Sequence, residues 1–262
     1  MKNSIPLKLP EAFGLMREAG RLLVLLFEEL NSVVVVGRTT HDIDTHIDAY
    51  LERVGLVSQT KGYHGYCHAS CVSINDELVH GVPSSRAIKN GDLVKVDVCA
   101  SYQGYCADMA RCFVVGVGAP IVHSLIQSAE KALSAGIAMV RPAMRLGDVS
   151  SAIQKSIEAD GYAVVRDFAG HGIGASMHES PEILNYGTAG SGPKIQVGMA
   201  FALEPMLTAG KHQVYIEQRD GWTVKTVDRT LAAHVEDTVI VTDQGVEIIT
   251  RATNMVEHEE KR

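Results

Sequence analysis

The sequence has 262 residues, 46% of them hydrophobic, and a formal net charge of −7 at pH 7. This length fits one large globular domain or two small ones, and we expect a single catalytic domain over residues 1–262. The negative charge disfavours a nucleic-acid backbone as the main partner. The apolar run 22–27 is cut short by Glu28, Glu29 and Asn31, so we expect no membrane partner either.

Cysteine usage and the first residues bear on the cellular compartment. Five cysteines, an odd number without a CxxC pair, are typical of a reducing compartment. Residues 1–16 lack the apolar core and the cleavage site of a signal peptide. We therefore expect a cytoplasmic protein with free thiols. A zinc site at Cys67, His68 and Cys71 is a minor alternative, because their spacing matches no common zinc finger.

Amphipathic helices are expected in pairs, one pair in each half of the chain. Apolar residues at helical spacing predict the first helix over residues 10–30, with Pro10 in its first turn. Thr39 or Thr40 can cap the second, over residues 42–53, and Gly55 can end it. The segments 124–140 and 148–161 repeat this pair later in the chain.

The two helix pairs align at one offset, which indicates an internal duplication. An offset of 106 pairs Asp42 with Asp148, Ile43 with Val149 and Gly55 with Gly161. An offset of 107 pairs His64 with His171 and Asp97 with Glu204. We therefore expect two pseudo-symmetric halves, about residues 10–115 and 116–251, with a site between them.

Residues 91–115 form an apolar, β-rich ribbon that carries two aspartates. Turn-forming residues at 101–104 predict an antiparallel hairpin. A turn centred between residues 102 and 103 would place Asp97 directly opposite Asp108, with Cβ atoms about 5 Å apart. Two buried like charges require compensation, and Lys95 on the same face can neutralise only one of them. Metal cations would provide it, whereas the alternative is a solvated edge hairpin.

Four further polar residues lie in segments that are otherwise apolar or glycine-rich. His171 and His178 belong to a glycine-rich loop, which lacks the lysine and serine or threonine of a phosphate loop. Glu204 lies in a short apolar strand before Pro205, and Glu236 begins a hairpin that turns near residues 243–245. Either glutamate alone could be a charge that protects an edge strand. Their combination with the aspartate pair favours a metal site.

Together these residues resemble one known family. The order Asp97, Asp108, His171, Glu204, Glu236, with the segments GYHGYCHAS, INDELVHGVP, GHGIG, HESP, FALEPM and DGWTVKT, is similar to bacterial type I methionine aminopeptidases from about residue 10 to residue 251. The resemblance implies an α/β (α+β) pita-bread fold with pseudo-twofold symmetry, in which helices cover an antiparallel sheet. Type II relatives carry a helical insertion between the last two ligands, and the thirty-one residues present here are too few for it.

The resemblance also implies an activity and its cofactors. We expect a hydrolase that removes the initiator methionine from nascent polypeptides with a small second residue, through hydroxide attack on the first peptide bond at two divalent metal ions. Asp97 would hold one ion, His171 and Glu204 the other, and Asp108 and Glu236 both. Four carboxylates and one imidazole suit manganese, iron or cobalt, with zinc as a further option. We expect a monomer.

By the same resemblance, His80 and His178 would contact the substrate backbone and stabilise the tetrahedral intermediate or the leaving amine. Glu204 would carry a proton to the departing nitrogen. The side chain of the substrate methionine would enter a pocket lined by Tyr63, Tyr66, Cys71, Met177 and Trp222, with His80 near its rim. Without the metal ligands, an ordinary core would be the preferred interpretation of those pocket residues.

Three positions depart from the family pattern. Many relatives have threonine in place of Cys99, glutamine in place of His234 and phenylalanine in place of Met177. We expect the usual reaction with a shifted metal preference, pH profile or efficiency. The alternatives are an Xaa-Pro-type aminopeptidase or creatinase-like enzyme of the same fold, which usually has an additional N-terminal domain, and a non-enzymatic binding protein, which should have lost metal ligands.

Overall fold

The computed structural model describes residues 5–252, and within them lie four α-helices and fourteen strands. The helices are α1 (Pro10–Leu30), α2 (Thr40–Val54), α3 (Pro120–Ala138) and α4 (Leu146–Ala159). The strands are β1 (Val57–Ser58), β2 (Cys71–Ile74), β3 (Leu93–Tyr102), β4 (Tyr105–Val114), β5 (Ala163–Val164), β6 (Ala169–Gly172), β7 (Glu179–Leu184), β8 (Ala200–Leu203), β9 (Met206–Thr208), β10 (Val214–Ile216), β11 (Val224–Thr226), β12 (Ala232–His234), β13 (Glu236–Thr242) and β14 (Gly245–Ile248).

The main sheet is antiparallel and, among the described residues, contains nine strands. Its order is β1-β3-β4-β13-β8-β6-β7, with β2 on β3 and β14 on β13. Strands β12, β9 and β5 form a smaller sheet, and β10 and β11 form a ribbon. One apolar core joins α1 and α2 to β3 and β4, and a second joins α3 and α4 to β8 and β13. The predicted α/β class with helices on an antiparallel sheet is confirmed.

The two helix pairs share one way of starting and ending their second helix. Thr39 caps α2, and the carboxylate of Asp42 accepts a hydrogen bond from the Thr39 backbone N–H at 2.8 Å. Asp148 accepts the equivalent bond from Arg145, also at 2.8 Å. Gly55 and Gly161 then follow in the left-handed conformation, which glycine adopts without the steric cost of a side chain. The offset of 106 therefore pairs residues that have the same role in both copies.

The offset of 107 aligns structurally related residues for Asp97 and Glu204 but not for His64 and His171. Strands β4 and β13 are neighbours, with β3 and β8 on their outer sides, so Asp97 on β3 and Glu204 at the end of β8 lie at related places in the sheet. His64 has no such relation to His171, because it lies in the 3-10 turn Tyr63–Gly65 whereas His171 is on β6. A single matching histidine followed by glycine was too little to align these segments.

The predicted register of the β3–β4 hairpin is also wrong. Asp97 lies opposite Ala110, and Asp108 lies opposite Cys99. The turn residues are Gln103 and Gly104, both with positive φ (47° and 85°), as two-residue hairpin turns require. The turn is centred one residue later than predicted. Because strand side chains alternate with a period of two, the aspartates still share one face and are diagonal neighbours.

Candidate metal centre

The main sheet brings the five predicted ligands to one cavity. Asp97, Asp108, His171, Glu204 and Glu236 all line it, although five different segments of the chain supply them. The imidazole Nε2 of His171 lies 3.5 Å from Oε1 of Glu204 and 3.9 Å from Oδ2 of Asp108. Asp108, His171 and Glu236 are buried, whereas Asp97 and Glu204 are partly accessible from the cavity.

These carboxylates lie in surroundings that oppose their negative charge. Burial and the neighbouring Glu204 raise the pKa of Asp108 to about 7. Burial also raises the pKa of Asp97, of Glu204 and of Glu236 well above the usual range, with Asp108 adding to the effect on Asp97 and Glu236. Lys95 gives no direct compensation, because its Nζ donates to the carbonyls of Asn75 and Ala232 at 2.9 and 3.1 Å.

The site fits a divalent cation. Asp108 Oδ1 and Glu236 Oε1 are buried and have no hydrogen-bond partner among residues 5–252. Ligand atoms of Asp108, His171 and Glu236 lie within 4.8 Å of one another, and so do those of Glu204, His234 and Glu236. Carboxylate oxygens and imidazole nitrogens are the donors that manganese, iron, cobalt and zinc bind in proteins. A cation would satisfy the unpartnered atoms and offset the repulsion between the carboxylates.

Hydrogen bonds hold the inner side chains in place. The Thr238 hydroxyl accepts from the backbone N–H of Asp108 and donates to its carbonyl, both at 2.8 Å, so β13 fixes this part of β4. Nδ1 of His171 donates to the carbonyl of Gly172 at 3.0 Å. Burial lowers the pKa of His171 to about 3, so the ring is neutral at pH 7. Nε2 therefore presents a lone pair to the carboxylates.

The two predicted outer histidines also line this cavity. The Tyr63 hydroxyl is 2.9 Å from Nδ1 of His178, and the rings of His178 and His171 are perpendicular with centroids 4.4 Å apart. His80 packs edge-on against Phe168, with ring centroids 5.6 Å apart. Burial, followed by the neighbouring His234, lowers the pKa of His80 to about 4. At neutral pH its imidazole is uncharged and can donate one hydrogen bond.

An apolar pocket adjoins the carboxylates, and every residue predicted for it is present there. Its lining includes Tyr63, Tyr66, Cys71, Met177 and Trp222. Tyr66 and Trp222 meet edge to face with centroids 5.1 Å apart, and the Tyr66 hydroxyl donates to the carbonyl of Ser70 at 2.9 Å. Thr60 lines the same pocket and was not predicted, because a threonine in a polar loop gives no signal in the sequence.

The alternative zinc site is not supported. Among the described residues, no cysteine belongs to a cluster with metal-ligand spacing. Cys67 is exposed, Cys71 lines the pocket, and Nδ1 of His68 lies 2.7 Å from the carboxylate of Asp44. All five cysteines are free, as predicted.

Comparison with known proteins identifies the family to which this arrangement belongs. The model of metallopeptidase family M24 matches residues 14–243. The chain belongs to metallopeptidase family M24. Within this family it is 39% identical over 244 residues to methionine aminopeptidase 1 of Bacillus subtilis, covering 93% of this chain and 98% of that protein. It is also 39% identical over 249 residues to methionine aminopeptidase of Escherichia coli K12, covering 94% of each.

Solved M24 structures agree with this placement. The crystal structure of methionine aminopeptidase from Thermotoga maritima has a TM-score of 0.92 and 40% identity, covering 95% of this chain and all of that one. Prolidase from Pyrococcus furiosus has a TM-score of 0.74 at 20% identity, and this chain covers 65% of it, so that likeness shows the fold alone. The predicted pita-bread fold and the resemblance to methionine aminopeptidases are confirmed. Within residues 5–252, none of the helices has the length and apolarity to cross a membrane.

Proposed function

We propose that this M24 chain is a cytoplasmic, monomeric methionine aminopeptidase that removes the initiator methionine from nascent polypeptides. The observation that carries the proposal is the meeting of Asp97, Asp108, His171, Glu204 and Glu236 beside an apolar pocket closed by aromatic residues. The relatives with 39% identity over nearly the whole chain bear the same activity in their names. A preference for a small second residue is carried over from the family resemblance alone.

The proposed cofactor is a pair of divalent cations. Asp97 would hold one, His171 and Glu204 the other, and Asp108 and Glu236 both. Four ionised carboxylates carry four negative charges, which two divalent cations balance. Manganese, iron, cobalt and zinc all accept this donor set, so the residues do not select one of them. When bound, such cations polarise a peptide carbonyl and make hydroxide available at neutral pH.

The residues of the chain then orient the substrate and move protons. Glu204, which lies 3.5 Å from Nε2 of His171 at the cavity, would accept a proton from the attacking water and pass it to the departing nitrogen. His178 is oriented by the Tyr63 hydroxyl and hydrogen-bonds the substrate backbone. His80, neutral at pH 7, would donate a hydrogen bond to the carbonyl oxygen that becomes negative as the attacking oxygen adds to the carbonyl carbon. Removing any of these groups should lower kcat more than it raises KM.

The pocket supplies the specificity for methionine. Cys71 and Met177 are buried in its wall, and Tyr66 and Trp222 close it. Sulfur and aromatic side chains pack favourably against a thioether. A pocket of this kind holds the first side chain of the substrate, which agrees with removal of one residue from an amino terminus.

A peptide assay separates this function from its two rivals. Metal-free protein is incubated anaerobically with manganese, iron or cobalt and given Met-Gly peptides and Xaa-Pro peptides in parallel. We expect release of methionine from Met-Gly peptides and no cleavage of Xaa-Pro peptides. Cleavage of Xaa-Pro peptides alone would assign a prolidase-like activity. Binding of both without hydrolysis under any metal would leave a binding protein.

A further inference from the structure

His234 is a buried imidazole without a partner at the edge of the proposed centre. It ends β12 and is 1% exposed. Neither of its ring nitrogens has a hydrogen-bond partner among the described residues. Buried polar atoms in native proteins are nearly always paired, so both nitrogens require an explanation. A glutamine, which many relatives have at this position, has a terminal amide in place of the two ring nitrogens of a histidine.

The ring points at two of the proposed ligands. Nε2 lies 3.5 Å from Oε2 of Glu204 and 3.8 Å from Oε2 of Glu236. The second distance is too long for a hydrogen bond and the first is at the outer limit. Two donor atoms that share one cation with bonds of about 2.1 Å lie roughly 3 to 4 Å apart. The observed spacing is therefore that of ligands around a common ion.

We propose that His234 binds a divalent cation directly, together with Glu204 and Glu236. The inference rests on the proposed dinuclear function and adds a sixth protein ligand to it. His171 faces Oε1 of Glu204 and His234 faces Oε2, so an imidazole lies on each side of this carboxylate. A second nitrogen donor shifts the centre from mostly oxygen ligands towards a mixed set. Imidazole suits zinc and iron better than manganese, which prefers oxygen.

The competing explanation is that His234 only positions the two glutamates. In that case Nε2 would carry a hydrogen and donate to Glu204 when the cations bind, and no metal–nitrogen bond would form. Activity alone does not separate the two explanations, because both predict a slower enzyme when His234 is replaced. The number of imidazoles bound to metal does separate them.

X-ray absorption on the full chain loaded with two equivalents of zinc counts those imidazoles. We expect two per pair of ions in the unmodified protein and one in His234→Gln. His171→Gln should also retain one, which His234 alone could supply among the proposed ligands. One imidazole per pair of ions in the unmodified protein would overturn the proposal, and none in His171→Gln would show that His171 is the histidine that binds. The measurement on the unmodified protein decides the question even if a variant fails to fold.

Metal affinity gives a second readout. Competition with a chromophoric chelator should show a larger loss of affinity for zinc than for manganese in His234→Gln, because a bond from an imidazole nitrogen favours zinc. His46→Gln is the matched control, because His46 lies on α2 beside Glu29, away from the centre, and should leave both affinities unchanged. An unchanged zinc affinity in His234→Gln would contradict direct binding.

A failure of the proposed role of His234 can be distinguished from a failure of the proposed peptidase function. A protein that releases methionine from Met-Gly peptides but binds zinc through one imidazole refutes only the role of His234. A protein that binds zinc through two imidazoles but hydrolyses no peptide refutes only the proposed function.

Discussion

Cys99 lies directly opposite Asp108 in the β3–β4 ladder, so the thiol of one faces the carboxylate of the other. The thiol lowers the pKa of Asp108, but burial and Glu204 outweigh it and the pKa stays near 7. A thiol is a weak hydrogen-bond donor, and the hydroxyl that many relatives have here is a stronger one. This pair of residues therefore controls how strongly protons compete with metal at Asp108.

Cys99→Thr should strengthen metal binding at low pH. The hydroxyl stabilises the ionised carboxylate, which lowers the pKa of Asp108 in the metal-free protein. Manganese affinity at pH 6 should then rise by severalfold, while the affinity at pH 8 should change little. Calorimetric titration at both pH values measures the difference. Cys67→Thr, at an exposed cysteine outside the site, is the control. Equal shifts at both pH values would contradict the effect on Asp108.

Without bound metal, the free energy of unfolding should fall as pH rises through 7. Paired carboxylates with lowered pKa values have the opposite effect in most proteins. The pKa of Asp108 is about 7 in the folded, metal-free protein and about 3.9 in an unfolded chain. The folded state therefore holds the proton more tightly, and this stabilisation is complete below pH 4 and lost as pH rises through 7. The raised pKa values of Asp97, Glu204 and Glu236 act in the same direction.

Thermal unfolding of metal-free and metal-loaded protein between pH 5 and pH 8 tests this dependence. Cations compete with those protons, so they bind more tightly as pH rises. The gain in Tm on adding metal should grow steadily from pH 5 to pH 8. A gain that is the same at every pH would show that the carboxylates are already ionised in the metal-free protein.

Asp108→Asn should abolish turnover and leave the chain folded. The substitution keeps the shape of the side chain and removes one negative charge from the position proposed to contact both cations. We expect turnover to be lost and the content of tightly bound metal to fall, while the circular dichroism spectrum is unchanged. Asp243→Asn, in the exposed turn between β13 and β14, is the control. Normal activity in Asp108→Asn would exclude this residue as a ligand.

Trp222→Ala should weaken the selection of methionine. The indole lines the pocket and packs against Tyr66, so its loss opens space around the substrate side chain. Burial of a methionine side chain contributes about 1.5–3 kcal/mol, so kcat/KM for methionine substrates should fall by about 10- to 100-fold. The loss should be smaller for substrates with a larger first residue. Tyr215→Ala, at an exposed tyrosine, should change neither value.

Local signals in the sequence were enough to predict the helices and the shared face of Asp97 and Asp108, whereas His171, which was expected in a glycine-rich loop, lies on β6. Helix α1 has the predicted bounds, and α2 is capped by Thr39 and ended by Gly55. Strand alternation placed Asp97 and Asp108 on one face even though the register was wrong. The turn itself was not predictable, because Gln103 adopts positive φ and glutamine gives no sign of that conformation.

Contacts between distant segments could not be read from the sequence. His234 belongs to β12, in a small sheet apart from the strands that carry the proposed ligands, and a pattern along the chain does not reveal what that strand faces. The family resemblance and the position of His234, two residues before Glu236, predicted an effect on the metal site but not which ligand the imidazole approaches. Its approach to Glu204 depends on how the two sheets pack, which the folded structure alone provides.

Asp237 lies beside Glu236 on β13, and its side chain hydrogen-bonds Arg111 on β4 as well as Thr250 and Arg251 near the end of the described chain. Replacing Asp237 should therefore destabilise the fold. Its fully buried carboxylate bonds Arg111 at 2.6 Å, the Thr250 hydroxyl at 2.8 Å and Arg251 at 2.6 Å, and Arg111 also donates to the carbonyl of Glu236. Asp237→Ala should lower the free energy of unfolding by about 1.5–3 kcal/mol, because the hydrogen bonds of its buried carboxylate are lost while Arg111 and Arg251 keep contact with solvent. Urea denaturation measures this loss.

Glu247→Ala is the control, because it breaks the exposed pair with Arg17 and should cost about 1 kcal/mol or less. Equal losses in the two variants would show that burial of Asp237 adds nothing to its ion pairs.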